Sequence, residues 1–284
     1  MVRTIKNITG HSRIDGVVPG VRGQRAFPHS TQSSLDPFIM LDHIGPQLVG
    51  EDYFVDGTNG AHPHRGFETL TFMFEGEMSH KDSLGNKELL RSGSVQRMNA
   101  GSGIIHGGDF YGDPKLNTFH EVQLWLNLPA RHKMSAPEIQ NVSAEDFPIV
   151  EQDGTKLRII AGSISGKQGP IDPIVPIKVV HAITSKASTI QLDDFPEGMT
   201  VFAYVLKGQF AVNNTSINEY HTVVFNNDGD TIQIEALGEG ELLIAAGEPL
   251  NEPVVMGGPF VMNTTDEIDQ AYSDFNSGKF GKIH

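Results

Sequence analysis

The sequence predicts an all-β protein in two similar halves, closed by one short helix. Short apolar stretches rich in β-branched and aromatic residues alternate with turn signals along most of the chain. One strand–turn–strand pattern recurs about 130 residues downstream of its first appearance. Helical periodicity is clear only near the C-terminus.

The strands are taken in chain order. Phe67–Phe74 (FETLTFMF) runs into a Glu75-Gly76 turn, and Val122–Leu128 and Leu157–Ala161 are of the same kind. Thr200–Leu206 (TVFAYVL) runs into Lys207-Gly208, and Thr222–Phe225, Thr231–Ala236 and Leu242–Ala246 follow. Lengths of roughly 4–8 residues mark strands rather than helices, and their regular spacing suits a sandwich or barrel. Glycine counts 31 of 284 residues, above the usual ~7%, which supplies the tight turns such a chain needs. The helix is announced by Thr264 and Glu267, a capping box, then by Ile268, Ala271, Tyr272 and Phe275 on one stripe, with Gly278 as its stop. It is expected to dock on a sheet.

The repeat is specific. With Gly76 placed on Gly208, Phe67–Met78 lies over Met199–Phe210 without a gap. Farther on, Asn99-Ala100-Gly101 falls on Asn227-Asp228-Gly229 with a small change of offset. Two segments agreeing in order and spacing indicate a duplication. Between the halves, Pro129 to Gly154 loses the strand pattern and carries Pro129, Pro137, Pro148 and the acidic Glu145-Asp146. The boundary is placed there, giving domains 1–140 and 141–284.

Composition excludes several classes. Lys+Arg is 21 against Asp+Glu 35, a formal net charge of −14, which repels phosphate backbones and anionic lipid. No nucleic-acid or membrane partner is expected, while a basic protein remains compatible. The chain has no cysteine, so thiolate metal sites, disulfides and cysteine nucleophiles are ruled out. The first residues lack the apolar core of a signal peptide, and no apolar run approaches the ~18 residues of a membrane helix. A cytoplasmic protein is expected.

Three of the twelve histidines stand apart. His62-Pro63-His64 precedes the Phe67 strand, and alternate residues of an extended segment point to one face. Pro63 biases His62 toward that extended conformation and assigns the pair to a strand end or edge. Glu68 follows, and His106 comes about forty residues later on what should be a facing strand. The combination reads as a mononuclear imidazole site suited to Fe, Ni, Cu or Zn rather than Mg or Ca. In the repeat, His62 falls on Asp194, His64 on Pro196, Glu68 on Thr200 and His106 near Ile234. Only the N-terminal half is therefore expected to bind metal. No metal is expected at the other nine: His80, His120, His132, His181 and His221 have no partner at ligand spacing, His11, His29 and His43 lie in the N-terminal segment, and His284 ends the chain.

These residues carry a family resemblance. Asp36-Pro-Phe-Ile-Met-Leu-Asp42, His62-Pro-His-Arg-Gly-Phe-Glu-Thr69, Ala100-Gly-Ser-Gly-Ile-Ile-His106 and Gln123-Leu-Trp-Leu-Asn-Leu128 resemble the pirin family in order. So do Gly247-Glu-Pro-Leu-Asn-Glu-Pro253 and Gly258-Pro-Phe-Val-Met-Asn263. The resemblance implies a bicupin, two antiparallel jelly-roll barrels, with one divalent transition metal in the first. Iron is the first choice, with copper, nickel, manganese or zinc as the others. By position, His62, His64 and His106 match the family's three histidines. The family's fourth ligand is a glutamate two residues after the third histidine, and here Gly108 stands in that place. Water and then Glu68 lead the candidates to fill it, followed by Asp109 and Glu121.

The resemblance implies one of two roles. Bacterial relatives called quercetin 2,3-dioxygenases open the ring of quercetin, and this chain would act with O2 on that flavonol or a similar enolate. Eukaryotic relatives are iron-dependent co-regulators, which implies a redox-sensing protein bound to a regulator or metabolic enzyme. The Gly108 departure adds a third reading, a metal-free interaction module. For the enzyme, Glu68 or Glu121 is the candidate base. Trp125, Phe67, Phe72 and Phe74 would line an apolar pocket or form barrel core, and Arg65 would attract an anion or form a surface salt bridge.

Overall fold

The computed structural model describes residues 1–15, 22–49, 60–193 and 195–283. Its strands and single C-terminal helix form two cupin units. In one unit a large antiparallel sheet runs in the order Glu138–Val142, Val95–Asn99, Phe67–Glu75, Thr118–Asn127, Phe38–Leu48. A smaller sheet runs Phe110–Tyr111, Glu77–Asp82, Ile104–Gly107, His62–His64, with Lys87–Arg91 also paired to Glu77–Asp82. Ile44, Met73 and Phe119 from the large sheet meet Leu90, Met78 and Phe110 from the small one. Phe67–Glu75 is buried on both faces over most of its length, with Glu68, Thr69 and Thr71 buried among Phe67, Leu70, Phe72 and Met73.

The other unit repeats this plan. Thr222–Phe225, Thr200–Lys207, Glu239–Gly247 and Ile177–Ser185 are neighbours in its large sheet. Ser188–Leu192, Ile232–Ala236, Phe210–Val212 and Thr215–Ile217 make its small one. Leu157, Val180, Phe195, Val201, Phe210 and Ile244 belong to one continuous core. The glycines that anchored the repeat both close hairpins with left-handed backbone, φ 87° at Gly76 and 84° at Gly208.

The units are not the two continuous halves expected from the sequence. Met1–Ser12 and Gln24–Pro37 belong with Glu145–Pro249, and Leu250–His284 belongs with Phe38–Ala144. The reason is edge and core completion. Ile5–Thr9 pairs with the Thr222–Phe225 strand, and the buried Arg3 donates to the carbonyls of Met199, Phe195 and Pro196. At the other end, the helix Thr265–Asn276 buries Ile268 and Ala271 against Phe260, Met262 and Phe280. Its capping box is formed as expected. Tyr272, read as part of the apolar stripe, is 41% exposed; Asp274 is buried instead. The handover lies between Ala144 and Glu145. The supposed linker holds two short strands, Glu138–Val142 and Ile149–Gln152. Their half-exposed, polar composition hid them from a search for apolar runs. Among the described residues no helix is long and apolar enough to cross a membrane.

One buried cation ties the histidine unit to its returning C-terminal segment. Lys133 is 1% exposed; its ammonium donates to the Gly66 carbonyl at 2.9 Å, Asn127 Oδ1 at 2.7 Å and the Val261 carbonyl at 2.9 Å. Burial lowers its pKa to about 8. Three acceptors satisfy all three donors, so Lys133→Met should leave three buried oxygens unpaired. A loss on the order of 3 kcal/mol is expected in urea unfolding, and a loss below about 1 kcal/mol would contradict this role.

Candidate metal centre

The His62–His64 strand pairs antiparallel with Ile104–Gly107, setting His106 opposite His62 and Ile104 opposite His64. Alternation puts both rings of the first strand on one face, and direct pairing puts the third ring beside them. The three ligand nitrogens lie within 4.8 Å of one another. His62 Nε2 is 2.9 Å from His64 Nε2 and 3.1 Å from His106 Nε2.

The opposite ring nitrogens decide the protonation. His62 Nδ1–H donates to the Gly60 carbonyl at 2.7 Å, and His64 Nδ1–H donates to the Pro259 carbonyl at 3.2 Å. A carbonyl can only accept, so both neutral rings turn bare Nε2 lone pairs toward each other. Burial opposes resolving that repulsion by protonation. It pushes His64 down to about 3 and His106 well below its ordinary range, with neighbouring imidazoles adding to both, and it lowers His62 as well. A cation between the lone pairs resolves it. Two nitrogens at right angles on an ion with bonds of about 2.1 Å would stand about 3.0 Å apart. The residues therefore fit a divalent metal.

Aromatic rings back the centre. His64 meets Phe67 at 4.9 Å and Trp125 at 5.3 Å, and those two stack on each other at 4.1 Å. Trp125 Nε1 donates to Gln123 Oε1. Phe72 and Phe74 do not join them. They leave the opposite face of the strand from Phe67, and Phe74 packs on His120 at 4.8 Å. On the far side His80 lies 5.5 Å from the His106 ring, its Nε2–H donating to Asp82 Oδ2 at 3.0 Å. The signal for this pair in the sequence is His80-Lys-Asp82, since alternate residues of a strand share a face.

The expected carboxylates are elsewhere. Glu68 is fully buried on Arg97, at 2.6 Å from Nη2, and leaves the strand on the face opposite Phe67. Glu121 shares a face with Gln123 and Trp125 but lies four residues before Trp125, about 13 Å along the strand. It sits across from Met73 and Ile44, and burial beside Asp42 raises its pKa to about 8. Asp109 exchanges hydrogen bonds with Ser79. Gly108 leaves no room for any side chain, because an added Cβ would run into the Ser79 carbonyl. Arg65 forms a salt bridge, but a buried one: it is 3% exposed and meets Asp274 at 2.9 Å.

The second unit fills the corresponding pair of strands with hydrocarbon. Ile190 is paired with Ile234, and Leu192 with Ile232. Ile190, Leu192, Ile232 and Ile234 are all buried in one core. The gapless alignment had put His64 on Pro196. It slipped because Leu192 is separated from Thr200 by a longer connection than that between His64 and Phe67. Asp194, the expected counterpart of His62, lies outside the described residues. Several of the other histidines do have partners. His43 and His120 meet at 2.7 Å between Nε2 atoms, and His181 contacts Glu241 at 2.9 Å. His284 lies outside the described residues.

Comparison with known proteins agrees with this architecture. Residues 20–126 match the pirin family model, and residues 179–281 match the pirin C-terminal cupin domain. A Pseudomonas aeruginosa protein provisionally named a quercetin 2,3-dioxygenase is 35% identical across 100% of both chains. Pirin-1 of Arabidopsis thaliana is 37% identical over 88% of this chain and 85% of its own. The crystal structure of quercetin 2,3-dioxygenase from Acinetobacter baumannii superposes with a TM-score of 0.89 at 34% identity, covering 100% of each chain. Such relatives imply a bound metal, and the three histidines are where this chain can hold one.

Two measurements check the electrostatics. Free imidazoles would together release about 1.5 protons at pH 6.5 on binding a metal. The buried cluster should release far fewer, so calorimetric titrations in buffers of different ionisation heat should differ little; a difference equal to a proton or more would contradict it. For Glu121 the native pKa lies above the unfolded value, so the unfolded chain loses its proton first. Stability should then fall, by an amount on the order of a few kcal/mol, as pH rises from about 4.5 to about 8. Glu121→Gln should flatten that slope in urea unfolding; an unchanged slope would contradict the assignment.

Proposed function

The chain belongs to the pirin family, and on that premise we propose that it is a metal-dependent dioxygenase opening the ring of quercetin or a similar flavonol or enolate with O2. The observation that carries this reading is the convergence of three neutral imidazole nitrogens within 4.8 Å. When bound, a divalent transition metal, iron by preference, supplies Lewis acidity toward a substrate oxyanion and a redox-active centre for O2.

The chain's part is to hold, orient and leave room. His62 and His64 keep their Nδ1 protons on the Gly60 and Pro259 carbonyls, so both rings offer Nε2 without rearranging. With only three imidazoles grouped there, a metal held by His62, His64 and His106 would have room for substrate and O2. His62 is at the exposed edge of its strand and His64 at the buried end, which sets the direction of approach. The stacked Phe67 and Trp125 rings stand behind His64 and keep water from that side. The curated and solved relatives named for quercetin oxidation support the choice of substrate class.

Protein loaded separately with Fe, Cu, Ni or Mn and mixed with quercetin should bleach its visible absorbance with at least one metal. His106→Ala should slow that loss at least a hundredfold. Absorbance loss no faster than with metal alone, for all four metals, would overturn the dioxygenase reading.

A further inference from the structure

The segment that bears His64 is held from a distance of about two hundred residues in sequence. The Pro259 carbonyl accepts from His64 Nδ1. Next in line, the Arg65 carbonyl accepts from the Val261 amide at 3.0 Å. The Arg65 side chain is gripped on three sides. Its Nη1 donates to Asp274 Oδ2 at 2.9 Å, its Nε donates to the Ser102 carbonyl at 2.8 Å, and its guanidinium lies 4.6 Å over the Phe280 ring. Asp274 is itself fixed, accepting from Gln270 at 2.8 Å and Lys279 at 2.7 Å. At Gly66 the backbone approaches Val261 so closely that a Cβ would strike the Val261 carbonyl.

The other histidine strand is touched from the same side. Ser102 and Gly103 lead into Ile104–Gly107; an added Cβ at Gly103 would meet the Phe280 ring at 2.7 Å. Ile105, the neighbour of His106, packs against the cluster that holds Phe260, Met262 and Phe280. Residues from Pro259 to Phe280 therefore bear on both strands that carry the imidazoles. A buried Arg–Asp pair is a poor device for stability, since two apolar side chains would serve as well. It is a good device for fixing an angle, because the guanidinium fork accepts only one orientation of its partners.

We propose that the C-terminal segment positions the metal-binding histidines: Asp274, acting through Arg65, and the Pro259 carbonyl, acting on His64, hold the imidazoles at metal-binding geometry. The proposal rests on the reading of the three histidines as a metal centre. Asp274 touches neither metal nor substrate, so it is a positioning residue. Metal retention thus depends on a helix that belongs, by sequence, to the second half of the chain.

Cobalt(II) is the probe, because its visible bands report ligand geometry independently of turnover. Affinity is read by competition with a chromophoric chelator, in the full-length chain. Asp274→Asn and Arg65→Lys should each bind cobalt at least tenfold more weakly, with shifted bands. Asp274→Glu should recover most of the affinity, and Asp266→Asn, the same charge change on the first turn of that helix, should match the wild type. Wild-type affinity and bands in both Asp274→Asn and Arg65→Lys would overturn the proposal while leaving the metal centre intact. Weaker binding with unshifted bands and a lowered urea midpoint would mark a merely structural role and overturn it too. A wild type that binds cobalt no better than His64→Ala would overturn the metal reading itself, and the proposal with it.

Discussion

Two imidazole lone pairs facing each other at 2.9 Å form the constraint around which the N-terminal barrel is arranged. Water cannot relieve it for His64, which is 3% exposed, and protonation is opposed by burial. Backbone carbonyls at Gly60 and Pro259 hold the rings in the tautomer that creates the conflict. That is the arrangement expected of a ligand set prepared in advance, because the free energy of orienting the donors is supplied by folding rather than at binding.

The second barrel shows what the fold does without that constraint. On its corresponding pair of strands Ile190, Leu192, Ile232 and Ile234 belong to an apolar core. The jelly roll therefore has no need of imidazoles at these positions. Three converging imidazoles in one copy, against aliphatic side chains in the other, mark a functional demand rather than a folding one.

Much of this was legible in the sequence. The capping box at Thr264 and the turn glycines Gly76 and Gly208 are local features, set by residues a few positions apart, and they appear where the pattern put them. The triad was legible because His62 and His64 carry their own spacing and His106 sits in a recognisable segment. Long-range partners were not. Nothing near Glu68 announces Arg97, and nothing near Arg65 announces Asp274, which lies 209 residues away. For that reason Glu68 is not the ligand or base expected of it, and the salt bridge expected of Arg65 is buried rather than at the surface. The carbonyl that orients His64 belongs to Pro259, and a backbone acceptor leaves no trace in side-chain chemistry. The slip at Pro196 had another cause, since a gapless alignment cannot see a connection that lengthened after duplication.

The measurement that bears most directly on the central claim is X-ray absorption at the metal edge of the loaded protein, with metal content determined on the same sample. The account predicts one ion per chain, with the scattering signature of three imidazoles at about 2.1 Å. It also predicts that the signature vanishes when His62, His64 and His106 are replaced together. An ion with fewer imidazoles, or one that survives that replacement unchanged, would contradict it.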